Sequence, residues 1–293
     1  MKKNYIYAIS TVFIWSTLAT VAKLLLNDIP NLQTLAISGA FAFLFLLIVN
    51  ICNGSIKLMA EYSFKQYAIM AGLGFVGLFM YSALYYYGLS QLSAQEACIL
   101  NYLWPIMIVL FSCIFLREKL TAMKIIAMLC SFAGIVILSV GSGFVFTAGS
   151  VTGYISCIVA AVCYGLFSVL NKKANLNQNI TMMIIWLTVT VCSFRSFFTG
   201  NWVPIGGVQW LGLAWLGIAI NAAAYLLWSL ALNKSKNTAV IANLAYLVPF
   251  LSLVVSAIVL KEQIEWRHIV SLIFIIGGIL LQNIKFNKDK KTD

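Results

Sequence analysis

Ten apolar runs, each about as long as a bilayer is thick, follow one another along the 293 residues with only short polar connections. A helix of roughly 20 apolar residues crosses the hydrocarbon core. The chain is 62% hydrophobic and 9% charged, whereas a soluble domain carries about 25% charged residues. The sequence therefore predicts an all-α integral membrane protein of ten transmembrane helices. The runs are 4–26, 33–52, 65–89, 94–115, 120–140, 151–170, 180–199, 208–232, 238–260 and 266–286.

The basic residues lie between the apolar runs and indicate the orientation of the chain. With the N-terminus in the cytoplasm, all but four of the 19 lysines and arginines fall on the cytoplasmic side. The exceptions are Lys23, Arg195, Lys261 and Arg267. This asymmetry follows the positive-inside rule. We therefore expect a multi-pass protein of the cell inner (plasma) membrane with both termini cytoplasmic. Because the basic residues form no single patch, nucleic acid is not expected as a partner.

The motifs of soluble enzymes and metal sites are missing from the sequence. The seven cysteines show no CxxC spacing, and His268 is the single histidine. No GxxxxGK(S/T), HExxH or GxSxG pattern occurs. We expect no enzyme activity, no cofactor, no metal and no ATP-hydrolysing domain in this chain. The chain is expected to act as a monomer on a small-molecule substrate within the lipid bilayer.

The sequence resembles itself at an offset of about 144 residues, which predicts two repeats, 1–146 and 147–293. At this offset several proline, tyrosine, glutamate and glycine positions coincide in order. Five helices is an odd number, so the second repeat would enter the membrane from the opposite side. Inverted repeats are typical of secondary transporters, whose substrate site lies near the midplane. The coinciding pairs are Tyr81 with Tyr225, Tyr102 with Tyr246, Pro105 with Pro249, Glu118 with Glu262 and Gly134 with Gly278.

Polar and aromatic residues inside the runs are the candidate substrate-binding residues. In the third run, Gly77, Tyr81 and Tyr85 share one helical face, which should point into the bundle rather than to lipid. The face could wall a cavity, or it could serve only hydrogen bonding between packed helices. The full set of substrate-binding candidates is Trp15, Ser16, Tyr81, Tyr85, Glu96, Asn101, Tyr102, Trp104, Tyr164, Ser168, Asn221, Tyr225 and Tyr246.

Three residues are candidates for gating. Pro105 and Pro249 lie at matching places in the fourth and ninth runs, where each removes an N–H and displaces a carbonyl. Such kinks either ease packing or shape and gate a central cavity. Gly77 is the third candidate because it permits close helix approach. Ser93 to Glu96 and Ser63 to Gln66 have the capping-box pattern of a helix start. Glu96 therefore either caps a helix or attracts a substrate ammonium.

The chain resembles the drug/metabolite transporter superfamily in its ten-helix form with two EamA-type domains. The resemblance rests on Trp15-Ser16 to Lys23, on the Pro105 and Pro249 helices, and on the glutamates that follow them. Glu96 followed by Asn101-Tyr102-Leu103-Trp104-Pro105 is similar to the bacterial aromatic amino acid exporters, a group also linked to methyl viologen efflux. The resemblance implies a bundle with helices 1, 3, 4, 6, 8 and 9 around a central cavity, and with helices 5 and 10 outside.

Three functions are consistent with these residues. An exporter of neutral amino acids, aromatic ones especially, would work by alternating access and use a substrate gradient or an exchange partner. A broad cation or drug exporter would depend on Glu96. A non-transporting membrane scaffold or lipid-handling protein would have a bundle centre packed with side chains.

Overall fold

The computed structural model describes residues 2–26, 28–91, 100–140, 151–200, 202–260 and 266–281. Within these ranges the chain is helical with short connections and contains no strand. The α-helices are α1 (Lys2–Trp15), α2 (Leu18–Leu26), α3 (Asn31–Cys52), α4 (Phe64–Leu73), α5 (Met80–Gln91), α6 (Trp104–Leu116), α7 (Ala122–Val140), α8 (Val151–Ala174), α9 (Gln178–Phe194), α10 (Gly207–Trp215), α11 (Tyr225–Asn233), α12 (Thr238–Asn243), α13 (Leu247–Leu260) and α14 (Trp266–Leu281).

Within the part of the chain that the structure describes, six helical stretches are long and apolar enough to cross a membrane: Lys3–Leu26, Asn31–Cys52, Phe64–Tyr85, Val151–Ala174, Gln178–Thr199 and Gly207–Asn233. Four shorter apolar helices cover Trp104–Leu116, Ala122–Ile137, Thr238–Ser252 and Ile269–Leu281. The prediction of an all-α integral membrane protein is confirmed. The total of ten spans stays a prediction. The capping box at Ser63 and Gln66 is confirmed as the start of α4.

The first predicted span is interrupted in its middle, which the sequence analysis did not anticipate. α1 ends at Trp15 and α2 begins at Leu18. The Ser16 hydroxyl donates to the Phe13 carbonyl at 2.7 Å, and the Thr17 hydroxyl donates to the Ile14 carbonyl at 2.8 Å. Hydroxyls that bond backwards to carbonyls compete with the helical ladder and bend it. The break places Trp15 at the end of a helical half.

Two π-helical segments interrupt the third and eighth predicted spans. One, Gly74–Phe79, joins α4 to α5, and the other, Leu216–Ala224, joins α10 to α11. Each ends directly before the first turn of the helix that carries a tyrosine, Tyr81 or Tyr225. π-helical turns inside α-helices are rare and are frequent at functional sites. Both segments therefore mark the same region of the molecule as the candidate tyrosines.

Both proline-containing spans are broken just before the proline. Pro105 lies at the start of α6, after a turn in which the Leu103 N–H bonds the Leu100 carbonyl. In the second half, a 3₁₀ turn at Leu244–Tyr246 separates α12 from α13, which holds Pro249. Proline cannot donate to the helical ladder and its ring displaces a preceding carbonyl. These two turns lie where the sequence predicts the proline kinks.

The helices pack as a central group with two pairs around it. α1, α6, α8 and α11 contact one another at the centre. α3 packs along α9, and α7 packs along α14. In the α7–α14 pair the Ser271 hydroxyl donates to the Gly134 carbonyl at 2.7 Å, and Ser131 donates to the Ile275 carbonyl at 3.3 Å. The glycines of this pair allow the backbones to approach closely.

Candidate functional site

Among the described residues, eight tryptophan and tyrosine side chains meet at the centre of the bundle, and we call them the aromatic cluster. The ring centroid of Trp15 is 5.2 Å from that of Tyr225, 5.3 Å from that of Trp228 and 6.2 Å from that of Trp104. Most pairs are tilted or edge-to-face, the arrangement that ring quadrupoles favour. The members are Trp15, Tyr81, Tyr85, Trp104, Tyr164, Trp186, Tyr225 and Trp228.

Residues of both halves of the sequence build this cluster. Tyr164 of α8 touches the rings of Trp104 at 4.9 Å and Tyr81 at 5.1 Å, both from the first half. Tyr225 of α11 touches Trp186 of α9 at 5.4 Å. Glycines bring the carrier helices together: a Cβ at Gly165 would collide with Met107 of α6, and one at Gly77 with Phe167 of α8. The cluster therefore depends on close packing between the halves.

Among the described residues, four polar atoms in the cluster and at Asn101 are buried without a hydrogen-bond partner. They are the indole nitrogens of Trp186 and Trp228, the hydroxyl oxygen of Tyr164 and the side-chain carbonyl oxygen of Asn101. Both tryptophans are at most 2% exposed, and Asn101 is 7% exposed. An unmade buried hydrogen bond costs about 1–3 kcal/mol. Unpaired buried groups in a native structure need an explanation, and a ligand that bonds them is one.

Six of the predicted site residues lie together in the cluster, namely Trp15, Tyr81, Tyr85, Trp104, Tyr164 and Tyr225. Asn101 is buried three residues before Trp104, in the helical turn that precedes α6. Ser16 and Ser168 are buried, and their hydroxyls bond the backbone carbonyls of Phe13 and Tyr164. These bonds contribute to helix geometry.

Three predicted residues have other surroundings. The Asn221 amide donates to the Ser38 hydroxyl at 3.1 Å, so it faces α3. Tyr246 is fully buried and packs in a separate small core with Ile135 and Ile275, between α7 and α14. Tyr102 packs against that same core. Glu96 lies outside the described residues. Pro105 and Pro249 are both buried at the helix breaks described above.

Sequence reasoning missed Trp186 and Trp228. Trp186 lies in the interior of its apolar run, whereas tryptophans that anchor a protein at the interface lie near run ends. That position is a signal that could have identified it. Trp228 lies close to the end of its predicted span and carries no such signal.

A cluster of hydrogen-bonded polar groups links the two halves of the sequence through Glu118 and Lys172. The Lys172 ammonium donates to Glu118 at 2.9 Å, to the Ser235 carbonyl at 2.8 Å and to the Thr238 hydroxyl at 2.7 Å. The backbone N–H of Thr238 donates to the other Glu118 oxygen at 2.9 Å, and its hydroxyl also donates to the carboxylate. We call Glu118, Lys172, Ser235 and Thr238 the end clasp.

The clasp is largely shielded from water, and its carboxyl group is ionised at neutral pH. The side chains of Lys172 and Glu118 are 14% and 20% exposed. Burial raises the pKa of Glu118, but hydrogen bonds from Thr238 and Lys172 outweigh it, so this pKa lies below its ordinary value. The clasp joins the α6–α7 connection, in the first half of the sequence, to the ends of α8 and α12, which are both in the second half.

The EamA-like transporter family matches residues 2–140 and 151–284, which together form nearly the whole chain. The chain belongs to the EamA-like transporter family. It is a multi-pass membrane transporter of the drug/metabolite transporter superfamily, as the sequence predicted. The two matched segments flank residue 146, where the sequence analysis divides the chain.

Known relatives are distant. The chain is 28% identical to the aromatic amino acid exporter YddG of Ancylobacter novellus over 183 residues, which cover 61% of this chain and 63% of that protein. That share is just under two thirds of the exporter. An uncharacterized transporter of Bacillus subtilis, YoaV, is 24% identical over 99% of this chain and 100% of its own. A crystal structure of a protein aligns over 97% of both chains with a TM-score of 0.87 and 22% identity, which shows a shared fold.

Proposed function

We propose that this EamA-family transporter exports small neutral metabolites, above all amino acids with aromatic side chains, by alternating access. The aromatic cluster with its unpartnered polar atoms is the observation that carries the proposal. Ring edges and faces would stack on an aromatic side chain. The indole N–H groups of Trp186 and Trp228 could donate to a carboxylate, and the Asn101 oxygen could accept from an ammonium. The relative named as an aromatic amino acid exporter supports the same substrate class.

The proposed architecture is two inverted repeats, 1–146 and 147–293. Contacts between α7 and α14 support it, because a Cβ at Gly134 would meet the Ser271 carbonyl and one at Gly278 would meet the Ala127 carbonyl. Adding 144 to Gly134 gives Gly278, and subtracting 144 from Ser271 gives Ala127, so each contact is the counterpart of the other. Such reciprocity is expected at a twofold axis.

We propose that the end clasp holds one face of the transporter shut. Among these residues, Glu118 lies in the first repeat and the other three lie in the second, so opening this end must break their hydrogen bonds. With both termini in the cytoplasm of the plasma membrane, the clasp would lie on the cytoplasmic side. The π-helical segments before Tyr81 and Tyr225 are placed to absorb the accompanying helix movements. Energy would come from a substrate gradient or an exchange partner.

A cation exporter is the second candidate, and a specific observation favours it. The cluster presents aromatic faces and none of its eight members carries a charge, so an organic cation could be held by cation–π attraction. In that case cation transport should depend on Glu96. The third candidate, a scaffold, requires a centre that only packs. The rings do contact one another, but buried donors without a partner lower the stability of the fold, so a core that serves only packing would not be expected to keep them.

Counterflow into proteoliposomes tests the proposal. Vesicles preloaded with unlabelled amino acid are supplied with labelled tryptophan, phenylalanine, threonine or methyl viologen. Export of aromatic amino acids predicts accumulation of tryptophan and phenylalanine, and loss of it in Trp104→Ala and Tyr81→Ala. Uptake of viologen alone, abolished in Glu96→Gln, would establish the cation exporter instead. No flux of any solute through folded protein would leave the scaffold.

A further inference from the structure

A groove lies on the lipid-facing surface of the bundle. One of its walls is α4 with the π-helical segment that follows it, and the other wall is α8. Its volume is about 490 Å³. Apart from one lysine its lining is apolar or glycine, and none of its lining residues belongs to the aromatic cluster. The residues that line it are Ile69, Gly72, Leu73, Val76, Gly77, Leu166, Phe167, Leu170, Lys173 and Ala174.

The groove has the length of one leaflet's hydrocarbon. From Ile69 to Gly77 the helix advances eight residues, or about 12 Å at 1.5 Å per residue. Half of a bilayer core is about 15 Å thick. Ile69 and Val76 are 40% and 41% exposed, so the groove opens to the surroundings of the bundle. An acyl chain that lies along the helix axis would therefore contact the groove over most of its length.

Two lysines stand at the same end of the groove. Lys173 lines it and is exposed, with its ammonium 5.6 Å from the centre of the Phe115 ring. Lys65 is exposed and precedes Ile69 by four residues, so it lies one turn further along the same helical face. The start of α4, which carries Lys65, lies next to the end of α8, which carries Lys173. This is shown by the backbone N–H of Asn177, just after α8, which donates to the Tyr62 hydroxyl, just before α4, at 3.2 Å. Among the described residues no carboxylate forms an ion pair with Lys173.

We propose that this groove binds an anionic phospholipid of the leaflet on the lysine-bearing side, which the positive-inside rule makes cytoplasmic. The acyl chain lies along Gly72, Val76 and Gly77, and the phosphate lies between Lys65 and Lys173. The inner end of the groove is Gly77 and Phe167, and Phe167 is 5.8 Å from Tyr164 of the aromatic cluster. Val76 and Gly77 belong to the π-helical segment, so a bound lipid contacts the part of the helix that we propose moves during transport.

Native mass spectrometry of the detergent-solubilised protein tests this site. The protein is titrated with phosphatidylglycerol or phosphatidylcholine, and bound lipid is counted. We expect one phosphatidylglycerol to be retained preferentially. In Lys173→Gln its affinity should fall about fivefold, since each basic residue near an anionic lipid contributes about 1 kcal/mol. Gly72→Leu should abolish binding, because a Cβ there meets nothing within 4 Å and the side chain fills open groove.

Matched controls separate the groove from general effects. Gly277 on α14 also has open space at its Cβ, so Gly277→Leu should leave phosphatidylglycerol binding unchanged. Lys57 is an exposed lysine outside the groove lining, so Lys57→Gln should also leave it unchanged. Equal affinity for both lipids, or equal binding in Gly72→Leu and wild type, would overturn the proposal.

The same two glycine variants distinguish a lipid site from a lateral entrance for substrate. Slower counterflow in Gly72→Leu, with phosphatidylglycerol binding as in the wild type, would assign the groove to substrate and overturn the lipid site. The lipid measurement needs no transported substrate, so it can fail or succeed independently of the proposed export.

Discussion

Replacing Glu118 by glutamine should open the clasped end of the transporter. The variant keeps the size of the side chain but removes the charge that draws on Lys172 and Thr238. Three donors reach this carboxylate: the Lys172 ammonium and the backbone N–H and hydroxyl of Thr238. The amide oxygen can still accept, so part of the network survives, but the amide nitrogen that replaces the second oxygen cannot accept from Lys172 or Thr238.

The size of the effect follows from the burial of the pair. A hydrogen bond to a charged group contributes about 1.5–3 kcal/mol. Lys172 and Glu118 are 14% and 20% exposed, so solvent screens them only in part. We expect the clasp to favour the closed end by about 2–3 kcal/mol. Since 1.4 kcal/mol corresponds to tenfold, loss of this whole preference would lower a closed-to-open ratio of about 100:1 to between about 4:1 and 0.7:1, and the part of the network that survives in Glu118→Gln places the variant toward the upper end of that range.

Pulsed electron spin resonance distances report this population directly. Spin labels are attached to click-reactive non-natural residues at positions 119 and 236, which avoids the native cysteines. Lys119 and Lys236 are exposed and flank the clasp on its two sides. In the wild type one short distance should dominate, and in Glu118→Gln a second, longer distance should become comparably populated.

The control variant is Glu61→Gln, which removes an exposed carboxylate on the 3₁₀ turn Ser55–Glu61. It should leave the distance distribution unchanged. The reasoning is refuted if Glu118→Gln, verified to be folded by its circular dichroism, retains the single short distance of the wild type. In that case the clasp only fastens loops and does not hold an end of the transporter shut.

Three further predictions concern the clasp and the centre of the bundle. The pKa of Glu118 lies below its ordinary value of 4.5, so the clasp should be fully formed above that pH and be lost only as the pH falls through the lowered pKa. The distances between the spin labels should therefore be constant from pH 8 to pH 5 and lengthen at lower pH. Glu118→Gln should abolish this response. Replacing Trp228 by 3-benzothienylalanine keeps the shape of the side chain but removes its N–H. Thermal stability should be unchanged or higher, and the affinity for tryptophan should fall about tenfold, which is the loss of one hydrogen bond. An unchanged affinity in calorimetry would show that this N–H does not bind the substrate. Gly77→Ala should lower the apparent Tm because its Cβ meets Phe167, whereas Gly72→Ala, with open space, should not.

The sequence predicted the residues of the aromatic cluster better than the other residues of the candidate site. Repeat matching paired Tyr81 with Tyr225, and both rings lie in the aromatic cluster. Matching also paired Tyr102 with Tyr246, and these two pack against the small core between α7 and α14. Period and offset define which helix a residue is on and roughly how deep it lies. They do not define the rotation of a broken helix, and Tyr102 and Tyr246 both lie inside helix breaks.

Trp186 shows a different limit of sequence reasoning. Its span was predicted correctly in outline, since residues 180–199 fall within the observed Gln178–Thr199 stretch. The resemblance, however, implied a ring of six cavity helices that did not include this one. Trp186 reaches Tyr225 because α9 contacts α11, a tertiary contact that no local pattern encodes. The break after Trp15 was missed for a related reason, since the sequence does not show whether the Ser16 and Thr17 hydroxyls bond back to the carbonyls of their helix.

The distribution of charge in this molecule assigns different tasks to its parts. The aromatic cluster contains no charged member, whereas the charged clasp closes one end, so holding a substrate and holding the protein shut rest on different interactions. A neutral zwitterion bound among the rings changes no net charge at the centre and needs no buried countercharge there. It can therefore favour opening only through contacts that differ between the two states, such as bonds to the buried N–H of Trp186 or Trp228. This separation predicts that clasp variants change how fast substrates exchange while cluster variants change which substrates exchange, and counterflow with several amino acids measures the two effects independently.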